Sequence, residues 1–129
     1  MGVNTSVNIG KLKLKNPVMA ASGTFGTGEE YADFIDVNKL GAIVTKTITL
    51  KARSGNPVPR IVETAAGMLN SIGLENQGAG HFIKNKLPLL RKLNVPAVIS
   101  IGGESANEII ELAKVLNKAK VEAIEINIS

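Results

Sequence analysis

The order of apolar and polar residues along the chain predicts strands and helices in alternation. Residues 7–14 alternate around Gly10, which is typical of a short β-hairpin. Four short apolar runs predict strands, and three of them are apolar almost throughout, as expected when both faces of a sheet are covered. These runs lie at residues 18–21, 42–45, 97–101 and 123–128.

Two capping boxes predict where helices begin. Thr27 with Glu30, and Ser105 with Glu108, have the spacing in which a hydroxyl and a carboxylate satisfy the free amides of a first turn. The first helix is expected to run to about residue 35. The second is amphipathic, because its apolar residues recur at helical spacing. They are Ile109, Leu112, Ala113 and Leu116.

A long segment without helical periodicity separates the second predicted strand from the next helix. Residues 47–77 are interrupted by prolines and glycines, which predicts a loop or a short hairpin. A loop of that length is uncommon in a compact domain unless it has a function. A helix over residues 81–93 follows, with Pro88 as an expected irregularity.

This order of elements indicates an α/β fold in which helices connect parallel strands. In such folds ligands bind at the carboxyl ends of the strands, so the polar residues there are the first candidates for a site. They are Ser22, Gly23, Lys46, Thr47, Ser100 and Asn127.

Composition and charge narrow the choice of function. The 129 residues carry 15 basic and 11 acidic side chains, and the resulting charge of +4 is spread along the chain rather than clustered. Phe, Tyr and Trp together make up 3%, too few for a base-stacking surface, so nucleic acid is not an expected partner. The acidic residues, Glu125 among them, are expected mostly as solvated charges, and none forms a persuasive acid/base pair.

Metal, thiol, membrane and secretory functions are not indicated. The chain has no Cys, and His81 is its one histidine, for which a role at a helix start or on the surface is expected. There is no apolar run of membrane-spanning length and no signal-peptide pattern. A cytoplasmic protein is therefore expected.

Two glycine-rich segments invite a ligand. Residues 23–28 read G-x-x-G-x-G, which reverses the dinucleotide fingerprint, and Glu29 and Glu30 would repel a pyrophosphate at the following helix start. We reject that fingerprint, and a tight turn whose amides face a ligand stays open. Residues 67–76 combine Asn side chains with glycines. They suit either the imide edge of a planar heterocycle or a simple turn-rich loop.

Several stretches together resemble the class 1 dihydroorotate dehydrogenases. They occur in the order and at the spacing of that family, and the wording of residues 63–70 is closer to the NAD-linked class 1B than to the fumarate-linked class 1A. The stretches are residues 15–26, 40–47, 55–60, 67–74 and 125–129.

The resemblance implies a TIM barrel that binds FMN at its carboxyl rim and oxidises dihydroorotate to orotate in pyrimidine biosynthesis. A base would remove the proton at C5 while a hydride passes from C6 to the flavin. In the family this base is a Cys directly after the motif that ends here at Ser129. Such barrels need about 250 residues. Residues 1–129 are therefore expected to be the amino-terminal half, strands 1–4 after a short hairpin, and inactive alone.

The resemblance also assigns site residues. Lys46 would neutralise negative charge that develops on flavin or substrate, and it would contact both. Ser100 stands where many relatives place an Asn, and its shorter side chain would weaken or reroute one flavin contact. The implied flavin contacts are Ser22, Gly23, Lys46, Thr47, Ser100 and Asn127. The implied substrate contacts are Lys46, Asn70, Ser71, Ile72, Gly73, Leu74 and Asn127.

Class 1B enzymes imply partners. The catalytic subunit would form a homodimer and pair with an iron–sulfur flavoprotein subunit that carries FAD and a 2Fe-2S cluster and passes electrons to NAD. Two alternatives remain open at this stage. One is a half-barrel assembly module without catalysis, and the other is a different flavin enzyme acting on dihydropyrimidines or dihydrouridine.

Overall fold

The structure is a computed structural model that describes residues 2–31 and 33–129. Within these residues eight strands form three sheets. The strands are β1 (Val7–Ile9), β2 (Leu12–Leu14), β3 (Met19–Ala20), β4 (Ala42–Val44), β5 (Ile61–Thr64), β6 (Gly67–Asn70), β7 (Ala97–Ile101) and β8 (Ala123–Ile126). The α-helices are α1 (Gly78–His81), α2 (Leu87–Leu90) and α3 (Ala106–Lys118), with a π-helical turn at Phe82–Lys86 between the first two and short 3-10 helices at Glu29–Tyr31 and Val37–Lys39.

The central sheet is parallel and has the order β3-β4-β7-β8. Neighbours in the sheet follow each other along the chain, apart from the inserted β5–β6 hairpin, as successive strands of a (β/α)8 barrel do. The predicted α/β class is confirmed, and so is the short hairpin in front of it, in which Val7 pairs with Leu14.

Both faces of the parallel sheet are covered, which explains the apolar runs of the sequence. Ile99 and Ile101 pack on one face against Leu112 and Leu116 of α3. A second cluster joins Leu14 of the β1–β2 hairpin to three residues of the sheet strands. Those three residues are Ala42, Val44 and Val98.

The helix predicted over residues 27–35 is wrong. The described part forms a 3-10 turn at Glu29–Tyr31, with a further turn and a bend over residues 33–35, and Ala32 lies outside the described residues. Gly28 has a φ of +91°, which a right-handed helix cannot contain. The Thr27 hydroxyl donates to the Glu30 carboxylate instead of accepting an amide of a first turn.

The helix predicted over residues 81–93 is present with shifted ends, because it begins at Gly78 and its last α-helical residue is Leu90. The expected irregularity lies just before Pro88. The amide of Leu87 donates to the carbonyl of Phe82, five residues earlier, and so closes the π-helical turn.

The α3 helix begins as predicted. The Ser105 side chain accepts the amide of Glu108 at 3.2 Å, while the Glu108 carboxylate accepts the amide of Glu104. In the usual capping box the carboxylate would accept the amide of the cap residue Ser105, and here it accepts the amide of the residue before it. Among the described residues no helix has the length and apolar character that crossing a bilayer requires.

Candidate functional site

The carboxyl ends of the parallel strands and the loop after β6 surround one cavity of about 670 Å³. Its wall includes eight residues that the sequence singled out. They are Ser22, Gly23, Lys46, Thr47, Asn70, Ile72, Leu74 and Asn127. Glu125, Ile126, Ile128 and Ser129 complete the lining.

Lys46 and Thr47 are placed by the extension of β4. The amide of Lys46 donates to the carbonyl of Gly26 at 2.8 Å, so the glycine turn fixes the backbone where β4 ends. The side chain of Lys46 is exposed and that of Thr47 is buried. One strand end thus presents an exposed cation beside a buried hydroxyl.

A chain of hydrogen bonds orients Asn127. Its Nδ2 donates to the Thr47 hydroxyl at 3.3 Å, and its Oδ1 accepts the amide and the hydroxyl of Ser129. The Thr47 hydroxyl also shares a hydrogen bond with the Ser100 hydroxyl at 3.0 Å, in which either oxygen can be the donor. This arrangement leaves the second Nδ2 hydrogen of Asn127 as a donor for a ligand.

Ser100 lies beneath the cavity rather than in its wall. It has 0% exposure, and its amide donates to the Thr45 hydroxyl. Of the described residues at the four strand ends, Ser100 is the one that reaches the cavity through another side chain. Its predicted contact with flavin stays a prediction, and the structure gives it a second role in holding Thr47.

Residues 70–74, from the last residue of β6 into the loop after it, alternate their side chains between two environments. Asn70, Ile72 and Leu74 line the cavity. Within the described part of the chain, Ser71 and Gly73 do not line it, and both lie against Asn56. The loop predicted as a substrate contact therefore offers three of its five residues to the cavity.

Asn76 fixes the end of this loop. Its Nδ2 donates to the carbonyl of Leu74 at 2.7 Å, and its Oδ1 accepts the amides of Thr49 and Gly78. Leu74 has a φ of +55°, a conformation that needs such support in a residue with a side chain. The side chain of Leu74 is thereby held at the cavity wall.

The glycine segment 23–28 forms tight turns, with Gly23, Gly26 and Gly28 all at positive φ. At Gly23 a Cβ atom would meet no atom within 4 Å. The backbone there faces open space that a flat ligand can approach.

Glu30 stabilises the end of this segment. Burial raises the pKa of its carboxyl, but the hydrogen bonds from the amides of Glu30 and Thr27, the Thr27 hydroxyl and the charge of Lys86 together lower the pKa below its ordinary value.

Glu125 is a cavity residue that the sequence interpretation missed. It lies in β8 two residues before Asn127, and it is half-buried rather than a solvated charge. Alternation in a strand places residues i and i+2 on the same face, so the candidate Asn127 was the signal that could have found it.

The described residues contain no group of His, Cys, Asp and Glu side chains that could hold a metal ion. His81 is half-buried and is the last residue of α1, which is the first turn of the longer helix that continues to Leu90. It therefore lies close to the helix start, as expected. The cavity offers a cation, amides, hydroxyls, one carboxylate and apolar side chains, which suit a planar, polar-edged organic ligand.

Comparison with known proteins decides the family. A family profile described as "Dihydroorotate dehydrogenase" matches residues 4–129. The chain belongs to the dihydroorotate dehydrogenase family. The resemblance inferred from the sequence motifs is confirmed, and with it the partial (β/α)8 barrel.

Curated members of the dihydroorotate dehydrogenase family cover nearly the whole chain. The proteins of Thermoanaerobacter sp. (strain X514) and Trichlorobacter lovleyi are 53% and 55% identical to it over 127 and 125 residues. A Bacteroides fragilis protein is 47% identical over 125 residues. Each is named dihydroorotate dehydrogenase B (NAD(+)), catalytic subunit.

The match covers only part of these relatives. It spans 98% and 96% of this chain for the first two proteins but 42% and 41% of their own length. The chain therefore corresponds to about two fifths of a dihydroorotate dehydrogenase B catalytic subunit.

Proposed function

We propose that the polypeptide to which this chain belongs oxidises dihydroorotate to orotate, with FMN bound in the cavity at the strand ends. The observation that carries the proposal is the convergence of Lys46, Asn70 and Asn127 on that cavity from separate segments. The similarity to NAD-linked catalytic subunits supports NAD as the final electron acceptor.

The residues present fit a flavin. The open space at Gly23 and the hydroxyls of Ser22 and Thr47 provide backbone and side-chain contacts for a flat ring with polar edges. A bound FMN would supply the two-electron acceptor of the reaction. Ser22, Gly23, Thr47, Lys46 and Asn127 would hold it, with Ser100 supporting Thr47 from below.

Dihydroorotate is a small acid with an imide edge, and the cavity has matching groups. Asn70 offers a paired donor and acceptor, and the second Nδ2 hydrogen of Asn127 adds a donor. Ile72 and Leu74 give an apolar wall. Lys46 places a positive charge where negative charge develops during proton removal.

The partners are also part of the proposal. The relatives are named as catalytic subunits, which supports a second, electron-transferring subunit; we propose that it carries FAD and a 2Fe-2S cluster. We further propose a homodimer of catalytic subunits and a cytoplasmic location. Because the chain spans about two fifths of its relatives, we expect the 129 residues alone to show no turnover.

The test is anaerobic mixing of the complete polypeptide, loaded with FMN, with dihydroorotate. We expect the flavin absorption to bleach and orotate to form in equal amount. Lys46→Met is expected to slow this reduction at least 100-fold. Lys13→Met, which removes an exposed charge from β2, serves as the matched control.

Two results would overturn the proposal. One is an FMN-loaded protein that dihydroorotate does not reduce. The other is faster reduction by 5,6-dihydrouracil, which lacks the carboxylate and would indicate the dihydropyrimidine alternative.

A further inference from the structure

The segment of residues 54–60 lies against the loop that lines the cavity, and nothing in the proposed function uses it. It contains the stretch from Gly55 to Arg60 that contributes to the family resemblance. Its own residues do not line the cavity described above, as far as the structure describes them. The contacts between this segment and the loop after β6 give it a role.

Asn56 is the centre of these contacts. Its Nδ2 donates to the carbonyl of Ser71 at 3.1 Å and to the Ser71 hydroxyl at 2.6 Å. Its backbone amide donates to the carbonyl of Ile72 at 3.0 Å. Asn56 therefore bonds both residues that separate Asn70 from Gly73.

Two glycines permit this close approach. A Cβ atom on Gly73 would lie 2.8 Å from the Asn56 amide group, and one on Gly55 would lie 2.5 Å from the carbonyl oxygen of Ile72. Both glycines have positive φ, +76° and +73°. The two backbones are thus in direct contact, which only residues without side chains allow.

Arg60 closes the other end of the segment. Its guanidinium donates to the carbonyls of Asn56 and Ser54 and pairs with the carboxylate of Glu75. Its own carbonyl accepts the amide of Ser71 at 2.7 Å. Arg60 consequently fixes the backbone of Asn56, while the side chain of Asn56 binds the loop.

We propose that Asn56 is a positioning residue for the substrate: it orients Asn70 and Ile72 at the cavity wall by holding Ser71, without touching the ligand itself. Ser71 acts in the same way, as the group through which Asn56 works. This inference rests on the proposed function for the identity of the ligand. The hydrogen bonds of Asn56 to Ser71 and Ile72, which we call the clamp, are present in the chain whatever the ligand is.

The test uses the complete FMN-loaded polypeptide and orotate, whose binding is followed by the change in flavin absorption. Asn56→Ala is expected to weaken orotate binding about tenfold, the loss typical of one or two hydrogen bonds. Its FMN content should match that of the unchanged protein. In turnover the loss should fall on KM for dihydroorotate more than on kcat. Asn8→Ala, at an exposed position of β1, is the matched control.

A double-mutant cycle separates positioning from direct contact. If Ser71 acts through Asn56, Ser71→Ala weakens orotate binding in the unchanged protein but has little further effect in Asn56→Ala. Additive losses would instead indicate that Ser71 touches the ligand and would overturn its assigned role. Unchanged orotate affinity in Asn56→Ala would overturn the positioning proposal as a whole.

Hydrogen exchange keeps the two proposals distinct. The amide of Ser71 donates to the carbonyl of Arg60, and it should exchange about tenfold faster in Asn56→Ala because the loop opens more often without the bonds from Asn56. This measurement needs no substrate. Failure of the unchanged protein to bind orotate would count against the proposed function and not against the clamp. Orotate binding with normal Ser71 exchange in Asn56→Ala would count against the clamp alone.

Discussion

The described part of the chain contains two antiparallel hairpins outside its parallel sheet, and they are stabilised in opposite ways. The β1–β2 hairpin buries part of one face, with Leu14 only 2% exposed and Val7 and Leu12 half-buried. In the β5–β6 hairpin all eight strand residues are exposed, and Leu69 is 63% exposed. One hairpin is held by apolar packing, and the other by hydrogen bonds at its base.

The difference separates stability from function. A two-stranded hairpin is marginal in water by itself, so each of the two needs support. The β1–β2 hairpin receives it from the sheet core and contributes no described residue to the cavity. The β5–β6 hairpin ends in Asn70, which lines the cavity, and the clamp around Asn56 holds the residues that follow. Polar support permits precise placement of a side chain without a core beneath it.

The largest expected effect is on the packed hairpin. Leu14→Ala should lower the free energy of unfolding by about 2–5 kcal/mol, because it removes buried methyl groups and leaves a cavity. Leu69→Ala in the other hairpin should change it by less than about 0.5 kcal/mol. Urea unfolding of both variants provides the measurement, and equal losses would contradict the contrast between the hairpins.

The second effect is larger in the β5–β6 hairpin than in the β1–β2 hairpin, because it concerns ligand binding. Asn70→Ala should reduce orotate affinity by about 10–100-fold, since it removes a donor and an acceptor from the cavity wall. Asn8→Ala, at a strand position of the packed hairpin, should leave the affinity as it is. Titration through the flavin absorption band is the measurement. An orotate affinity that Asn70→Ala leaves intact would remove the β5–β6 hairpin from the site.

The third effect tests the polar support itself. Gly73→Ala places a Cβ 2.8 Å from Asn56 at a φ of +76°, so it should cost about 1–2 kcal/mol or release the loop. Gly67→Ala, within β6, meets no atom within 4 Å and is the matched control. Urea unfolding combined with exchange of the Ser71 amide distinguishes a global loss from local release. A neutral Gly73→Ala would show that the contact with Asn56 is loose.

Apolar periodicity predicted the elements that burial determines. The strand at 97–101 has the predicted bounds, and α3 begins after the predicted cap at Ser105. These elements carry the signal in their own residues, because each apolar position reports a buried face. The helix predicted at 27–35 rested on a capping box and contained Gly28, whose backbone conformation ended it.

The site was predictable only in part, for a related reason. Strand ends and motifs pointed to Lys46, Asn70 and Asn127. The contact between Asn56 and Ser71 joins residues 15 positions apart, and it exists only once the loop has closed. The pattern of apolar and polar residues within a short segment does not indicate a bond between two distant segments. The half-buried position of Glu125 likewise depends on which face of β8 meets the cavity.

The smallest expected effect concerns a third segment that lies in neither hairpin and is also held by polar contacts. Because the pKa of Glu30 is lowered from about 4.5 in the folded chain, the ionised carboxylate stabilises the fold above that value, and the contribution is lost as the pH falls through the folded pKa. Glu30→Gln should therefore lose less stability than the unchanged protein between pH 7 and the acid range.

Urea midpoints at both pH values measure the difference, and Glu111→Gln, exposed on α3, controls for the removed charge. A variant whose midpoint falls as steeply as that of the unchanged protein would show that the bonds to Thr27 contribute nothing, and polar support would then matter only in the loop that lines the cavity.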